Sequence, residues 1–157
     1  VVMAMPNANG LDDLYITEAD QLPNIVRTQV DVVLAGGTAV LNADDPGVAE
    51  LADYSDGDVI FYSLSPDDGP VVEHRARKGR AVLARDASVL LAAGASETPL
   101  INLSAPIFSP ITSEPPEDVR PHVLAAVATA WALGVSPDLI RAALLRFGEA
   151  HHNLAVH

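Results

Sequence analysis

The fold of this chain is indicated most directly by residues 38–46, TAVLNADDP. The first five of these residues form an apolar, β-prone run, which predicts a buried strand. Pro46 stands at the first position of a helix predicted over 46–54, and Asp45 has the side chain of a typical helix cap. A buried strand that leads directly into a helix is a building unit of α/β proteins.

The flanking residues extend this pattern in both directions. Residues 1–10 predict a short apolar strand that runs into a Pro/Asn/Gly loop. Apolar residues at helical spacing predict a helix within 17–34, which begins properly at Pro23. A second buried strand is predicted over 58–63. Together these elements make residues 1–63 an α/β portion of the chain.

The remaining residues predict a different arrangement. The middle of the chain has closely spaced β-prone runs, which predict an antiparallel meander of four short strands over 71–103: 71–76, 80–85, 88–93 and 100–103. Residues 117–148 predict a helical hairpin, whose first helix is apolar almost all round and should be buried. The expected fold is therefore a single α/β domain over 1–157, with a small mixed sheet and a C-terminal helix hairpin.

Composition limits the possible functions. The chain has 157 residues, of which 49% are hydrophobic, and its net charge of −12 disfavours nucleic-acid and anionic membrane partners. The longest nearly apolar run, 123–135, is shorter than the roughly 20 residues that cross a bilayer. Because cysteine is absent, disulfides and thiolate chemistry are excluded. We expect a cytoplasmic location, and the initial Val1 suggests a piece of a larger protein.

The candidate ligand-binding groups follow the strand over 38–42. Asn42, Asp44 and Asp45 come at its carboxyl end, where α/β proteins place groups that bind ligands. Two adjacent carboxylates can bind a hydrated Mg²⁺ or a ribose hydroxyl. The alternative is structural, with Asp45 as the helix cap and Asp44 as a turn residue. The capping role is favoured for Asp45, whereas both interpretations stay open for Asn42 and Asp44.

Two further features have alternative interpretations. His122, at the start of the predicted buried helix, could face a ligand or be a partly buried, hydrogen-bonded imidazole. Five of the nine cationic residues lie between positions 75 and 85, where they could bind a carboxylate or a phosphate. The solvated face of a β-hairpin is the favoured interpretation of that cluster.

The segment over 38–46 also resembles one shared by the Mur-type ATP-dependent amide ligases, the Mur ligase superfamily. The resemblance covers most of residues 26–147 in the order of that family. It is greatest to the carboxyl-terminal, Mur-ligase-like half of the members that join aspartate and arginine into a storage polymer. Besides 38–46, the similar stretches are 27–34, 56–62, 74–82 and 123–134.

The resemblance implies a fold and an activity. The fold would be the second half of a Mur ligase central domain. The intact enzyme would use ATP and Mg²⁺ to activate a carboxylate as an acyl phosphate, which an amine then attacks. Asn42, Asp44 and Asp45 would line the nucleotide side of the cleft, and His122 would stand where the family has an asparagine that contacts adenine.

The chain also departs from the pattern of the family. No Gly-rich loop with a Gly-Lys-Thr ending occurs, and the single lysine, Lys78, does not follow a glycine. Asn9 and Gly10 stand where the family has an Asp-His pair, and no Gly-Arg step follows Phe147. We therefore predict that this chain alone does not catalyse ligation and holds neither ATP nor Mg²⁺.

Two functional hypotheses follow. The first is that the chain belongs to a ligase whose remaining parts are its partner. The second is that it is a non-catalytic oligomerisation or partner-binding module derived from a Mur ligase. A lone half of the Mur central domain would expose a sheet edge, which proteins usually cover, so we also predict a homodimer.

Overall fold

The computed structural model describes residues 1–6, 21–67, 69–105 and 119–155, with the backbone alone for 151–155. The predictions for Asn9 and Gly10, for the first part of the N-terminal helix and for residues 117–118 lie outside the described residues.

The described chain forms one mixed sheet with helices on both faces, which confirms the predicted α/β class. In chain order the elements are α1 (Gln21–Asp31), β1 (Thr38–Asn42), α2 (Pro46–Ala49), a 3₁₀ helix (Glu50–Tyr54), β2 (Asp58–Ser63), α3 (Gly69–Ala76), β3 (Arg80–Arg85), β4 (Ser88–Ala93), β5 (Ser96–Asn102), α4 (Arg120–Ala132) and α5 (Pro137–Ala155). The strands stand in the order β1-β2-β3-β4-β5, with β1–β2 and β2–β3 parallel and the other two pairs antiparallel.

The sheet is buried on both faces because successive strand residues alternate between two apolar cores. Leu41 and Phe61 lie in the core beneath α1, α2 and α3. Val40, Ile60 and Tyr62 lie in the opposite core beneath α4 and α5. Burial on both faces explains why the central strands are continuous apolar runs in the sequence. Within the described ranges, no helix is both long enough and apolar enough to span a membrane.

The prediction of a strand over 71–76 is wrong, because these residues belong to helix α3. Strands β2 and β3 are parallel, so the chain between them must cross one face of the sheet, and a helix is the usual crossover. Val71 is buried against the sheet while Val72 is half exposed, as expected for a helix with one inward-facing side. The meander therefore contains three antiparallel strands.

Strand β5 begins earlier than predicted, at Ser96 instead of residue 100. The connection between the strands predicted over 88–93 and 100–103 is therefore reduced to two residues, because Gly94 adopts a φ of +56° that permits a tight hairpin. The helix after β1 and both helices of the C-terminal hairpin are present as predicted, but the last helix continues to Ala155 instead of ending by residue 148.

The two edges of the sheet, at β5 and at β1, make different contacts with the rest of the chain. On β5, Arg141 of α5 donates from Nε to the carbonyl oxygen of Leu100 at 2.7 Å and from Nη2 to that of Pro99 at 3.5 Å. On β1, the initial segment adds a parallel bridge, in which Val2 N donates to Val40 O at 2.9 Å and Asn42 N donates to Val2 O at 3.1 Å.

Candidate functional site

The candidate site lies at the carboxyl ends of β1 and β2. Because these strands are parallel, with Asn42 opposite Tyr62, their ends meet on the same side of the sheet. The structure brings Asn42, Asp44 and Asp45 together there with Ser63 at the end of β2. The polar contacts of these side chains show what each one does.

Asp45 is a helix cap and also an anchor for the start of the chain. Its Oδ1 accepts hydrogen bonds from the backbone nitrogens of Gly47 at 3.0 Å and Val48 at 3.3 Å, which confirms the predicted cap. Its Oδ2 accepts a hydrogen bond from Met5 N at 2.8 Å. Asp45 therefore joins the initial segment to the first turn of α2.

Asp44 holds the chain where β2 ends. Its Oδ1 accepts from the Ser63 hydroxyl at 2.5 Å and from Ser65 N at 3.3 Å, and its Oδ2 accepts from Leu64 N at 2.8 Å. Ser65 N also donates to the Ser63 hydroxyl at 2.8 Å. The carboxylate thus orders the turn after β2, although the residue itself is exposed to solvent.

Asn42 links the initial segment to the turn after β1. Its Nδ2 donates to the carbonyl oxygen of Met3 at 2.8 Å, and its Oδ1 accepts from Asp44 N at 3.1 Å. Both polar atoms of the amide are therefore bonded to backbone.

These contacts decide whether the three residues by themselves fit Mg²⁺ and ATP. Every side-chain oxygen and nitrogen of Asn42, Asp44 and Asp45 already bonds to the protein, so a cation would compete with N–H donors for the carboxylates. In the part of the chain that the structure describes, no group of three or more His, Asp or Glu could hold a metal ion. The arrangement does not fit a complete nucleotide–metal site.

The single lysine lies at the opposite end of the sheet from this site. Lys78 sits in the turn before β3, with a φ of 67°. Because β1, β2 and β3 are parallel, the start of β3 is at the opposite end of the sheet from Asn42 and Asp44. Lys78 is therefore not placed to serve phosphates bound near these residues.

His122 is not joined to the other three predicted site residues. It lies exposed in the first turn of α4, and none of the described hydrogen bonds includes it. The interpretation of His122 as a partly buried, hydrogen-bonded imidazole is therefore not what the described residues show. Leu124 and Ala125, which follow it, pack into the core on the α4 side of the sheet.

Tyr62 is a polar residue at this end of the sheet that the sequence reasoning missed. Its side chain is fully buried, and its hydroxyl has no hydrogen-bond partner among the described residues. Burial, assisted by the charge of Asp44, raises the pKa of Tyr62 to about 12. The available signal was an aromatic residue with a polar atom in a strand predicted to be buried on both faces.

The cationic cluster is not the solvated face of a hairpin, because Arg75 belongs to α3 and Arg77 and Lys78 lie in the turn after it. Arg75 Nη1 lies 2.7 Å from Glu97 Oε1, and Arg85 Nη1 lies 2.5 Å from Glu97 Oε2. The hydrogen bond from Arg85, with that from Arg75, lowers the pKa of Glu97. The guanidinium of Arg80 lies 5.2 Å from the ring centroid of Trp131. The ion pairs with Glu97 hold α3, β3 and β5 together, and the Arg80–Trp131 contact joins β3 to α4.

Comparison with known proteins gives one consistent result. No family model matches the chain. A cyanophycin synthetase of Crocosphaera subtropica is 39% identical over 74 residues, which are 47% of this chain and 8% of that protein.

Two further relatives match over a longer stretch. Cyanophycin synthetases of Synechocystis sp. and Trichormus variabilis are 29% and 30% identical over 143 and 138 residues, in each case 88% of this chain and 15% of the relative. The chain therefore spans 8–15% of the length of the curated relatives that it matches. Over most of its own length, it is similar to one segment of cyanophycin synthetases.

Proposed function

We propose that this chain is a segment of an ATP-dependent amide ligase of the cyanophycin synthetase type, from the carboxyl-terminal, Mur-ligase-like half of such an enzyme. The observation that carries the proposal is the similarity to two cyanophycin synthetases over 88% of the chain. The α/β fold supports it, because the polar residues at the carboxyl end of β1 lie where open α/β sheets bind ligands.

The reaction of the intact enzyme would add arginine to the aspartate side chains of a storage polymer. ATP with Mg²⁺ would supply the activation of the carboxylate as an acyl phosphate. In this proposal Asn42, Asp44 and Asp45 are positioning residues, which fix the initial segment and the turn after β2 on the nucleotide side of the cleft. His122 would border the adenine position from the exposed first turn of α4.

The isolated chain would not catalyse this reaction or bind Mg-ATP. It contains no Gly-rich loop with a Gly-Lys-Thr ending, and such a loop supplies the backbone N–H groups that cradle phosphates. Its single lysine is at the opposite end of the sheet. The polar atoms that could receive a cation already bond to backbone or to Ser63. The missing groups would come from the rest of the ligase.

A second candidate function is a non-catalytic oligomerisation or partner-binding module. Two apolar side chains that follow α1 favour it, since Val32 and Leu34 are 72% and 79% exposed. Such side chains could be covered by the remainder of a ligase or by a second copy of this chain.

The two functions can be separated by experiment on the native polypeptide. An antibody raised against this chain would be used to determine its length and to isolate it from source cells. The ligase proposal predicts a polypeptide several times longer, which incorporates labelled arginine into a polymer only when ATP and Mg²⁺ are present. A polypeptide of the length of this chain, without ATP-dependent incorporation, would overturn the ligase proposal and favour the module.

The claim about the isolated chain has its own test. Calorimetric titration of the chain with Mg-ATP should show no saturable heat. Micromolar binding would contradict the incompleteness of the site while leaving the ligase proposal intact.

A further inference from the structure

The connection between the 3₁₀ helix and β2 contains an Asp-Gly step that the proposed ligase reaction does not use. Asp56 and Gly57 follow the end of the 3₁₀ helix at Tyr54 and precede the start of β2 at Asp58. The Asp56 side chain is exposed, and within the described ranges its carboxylate makes no hydrogen bond or ion pair. This carboxyl group is therefore available to react with a neighbouring main-chain group.

The backbone nitrogen of Gly57 is the neighbouring group that can react with it. Among the described residues, this nitrogen donates no hydrogen bond, whereas Gly57 O accepts one from the Ser55 hydroxyl at 3.3 Å. Because glycine has no Cβ, no side chain on residue 57 shields the nitrogen from the Asp56 carboxyl carbon. No hydrogen bond of a helix or strand has to break before the two groups meet.

No other aspartate in the described ranges combines these features, since only Asp56 precedes a glycine there. Asp45 accepts three hydrogen bonds and is followed by Pro46, which has no N–H. Asp86 is also exposed in a turn, but the Cβ of Ala87 crowds the nitrogen that would have to attack. Asp86 is therefore the matched internal control.

We propose that Asp56 is a site of spontaneous isomerisation to isoaspartate. The Gly57 nitrogen attacks Cγ of the protonated Asp56 carboxyl group, a C–N bond forms, and the carboxyl hydroxyl leaves with the proton of the nitrogen as water. Water then opens the resulting succinimide ring. Opening at the main-chain carbonyl carbon leaves Gly57 bonded to Cγ, whereas opening at Cγ restores aspartate. The water released is the water regained, so the step needs no cofactor and no redox partner. The inference does not rest on the proposed ligase function.

Isomerisation would lengthen the main chain by one carbon where the start of β2 is tightly packed. A Cβ on Gly57 would lie 2.5 Å from Gly37 O and 2.6 Å from Leu34 O, so this part of the chain has no spare room. Asp58 N donates to Gly37 O at 3.0 Å, and Asp58 is paired with Thr38 at the start of the two strands. The added carbon would displace these contacts and loosen the amino ends of β1 and β2.

The test is incubation of the full chain for several weeks at pH 7, followed by peptide mapping. The map uses a protease that cleaves before aspartate but not before isoaspartate. We expect progressive loss of cleavage before Asp56 and no loss before Asp86. In Asp56→Glu, which keeps the charge, the longer side chain would have to close a six-membered ring. The peptide that contains residue 56 of this variant should therefore stay a single form.

A synthetic peptide of residues 53–60 gives the rate without the fold. The proposal is overturned if this peptide isomerises while cleavage of the folded chain before Asp56 stays complete, or if Asp86 loses cleavage as fast as Asp56.

The structural consequence has a separate readout in urea unfolding. The unfolding equilibrium constant of the isomerised chain should be about fivefold larger than that of the fresh chain, as for the loss of one backbone hydrogen bond. Asp56→Glu should unfold at the same urea concentration before and after incubation. An unchanged midpoint in a chain that contains isoaspartate at position 56 would refute the loosening of β1 and β2.

Discussion

Replacement of Asp45 by alanine tests whether this carboxylate serves the fold of the chain. The substitution removes three hydrogen bonds, two from the first turn of α2 and one from Met5 N. We expect the isolated chain to become clearly less stable, because three backbone N–H donors lose their acceptor.

The expected loss can be worked out from the two parts of the contact. Loss of an N-cap acceptor costs about 1 kcal/mol. Loss of the hydrogen bond from Met5 N adds about 1–2 kcal/mol. This value is toward the lower end of the range for charged acceptors, because water partly screens the half-buried carboxylate. Together Asp45→Ala should lower the free energy of unfolding by about 2–3 kcal/mol.

Asp45→Asn separates the two parts. Asparagine is as good an N-cap as aspartate and keeps one acceptor oxygen, but its amide nitrogen cannot accept the bond from Met5 N. This variant should therefore lose only the second contribution, about 1–2 kcal/mol. Asp56→Ala removes an exposed carboxylate with no described partner and should change stability by less than about 0.5 kcal/mol.

Urea unfolding at pH 7, followed by circular dichroism, measures all three variants against the native chain. The structural role of Asp45 is refuted if Asp45→Ala unfolds at the same urea concentration as the Asp56 control. The capping role is refuted if Asp45→Asn, which keeps the cap acceptor, lowers the free energy of unfolding as much as Asp45→Ala does. The anchor to Met5 is refuted if Asp45→Asn is as stable as the native chain.

Four other predictions follow from contacts described above. A Cβ at Gly79 would overlap the His74 ring, so Gly79→Ala should cost about 1–3 kcal/mol in urea unfolding, whereas Gly36→Ala, with nothing within 4 Å, should change little. The pKa of Glu97 is lowered in the folded state, so its contribution is present above about pH 4.3 and is lost as pH falls through the folded pKa. The urea midpoints of Glu97→Gln and the native chain should therefore differ at pH 7 and converge in acid, and a constant difference would contradict this. Tyr62→Phe removes a buried hydroxyl with no described partner and should raise stability by about 1 kcal/mol, while a loss would reveal a partner. Self-association is expected through the sheet edge at the Val2 segment beside β1. A monodisperse monomer in concentrated solution by light scattering would contradict this expectation.

Local chemistry was sufficient to predict the elements whose character is set within a few residues. Strands β1 and β2 are apolar runs because both of their faces are buried. The cap at Asp45 could be predicted because its acceptors serve residues two and three positions later. Helix α3 could not be predicted in this way, because its conformation depends on the parallel pairing of β2 with β3, which no local pattern shows.

The position of the candidate site could be predicted from the sequence, but the roles of its side chains could not. The position of Asn42 and Asp44 at the end of a buried strand was predicted correctly. Their roles depend on Met3, which lies 39 residues from Asn42, and on Ser63, which lies 19 residues from Asp44. Contacts over such separations are set by the tertiary fold, so the sequence left the choice between ligand binding and structure open.

The guanidinium of Arg141 determines at which edge of the sheet a further strand could pair. It occupies two neighbouring backbone carbonyls of β5, and Pro99 offers no N–H to an incoming strand. A strand that joined there would have to displace a charged group held by α5. At the other side, the segment that contains Val2 is bonded to β1 and leaves its outward side open among the described residues. Any strand from the same polypeptide or from another copy should therefore extend the sheet from the Val2 side.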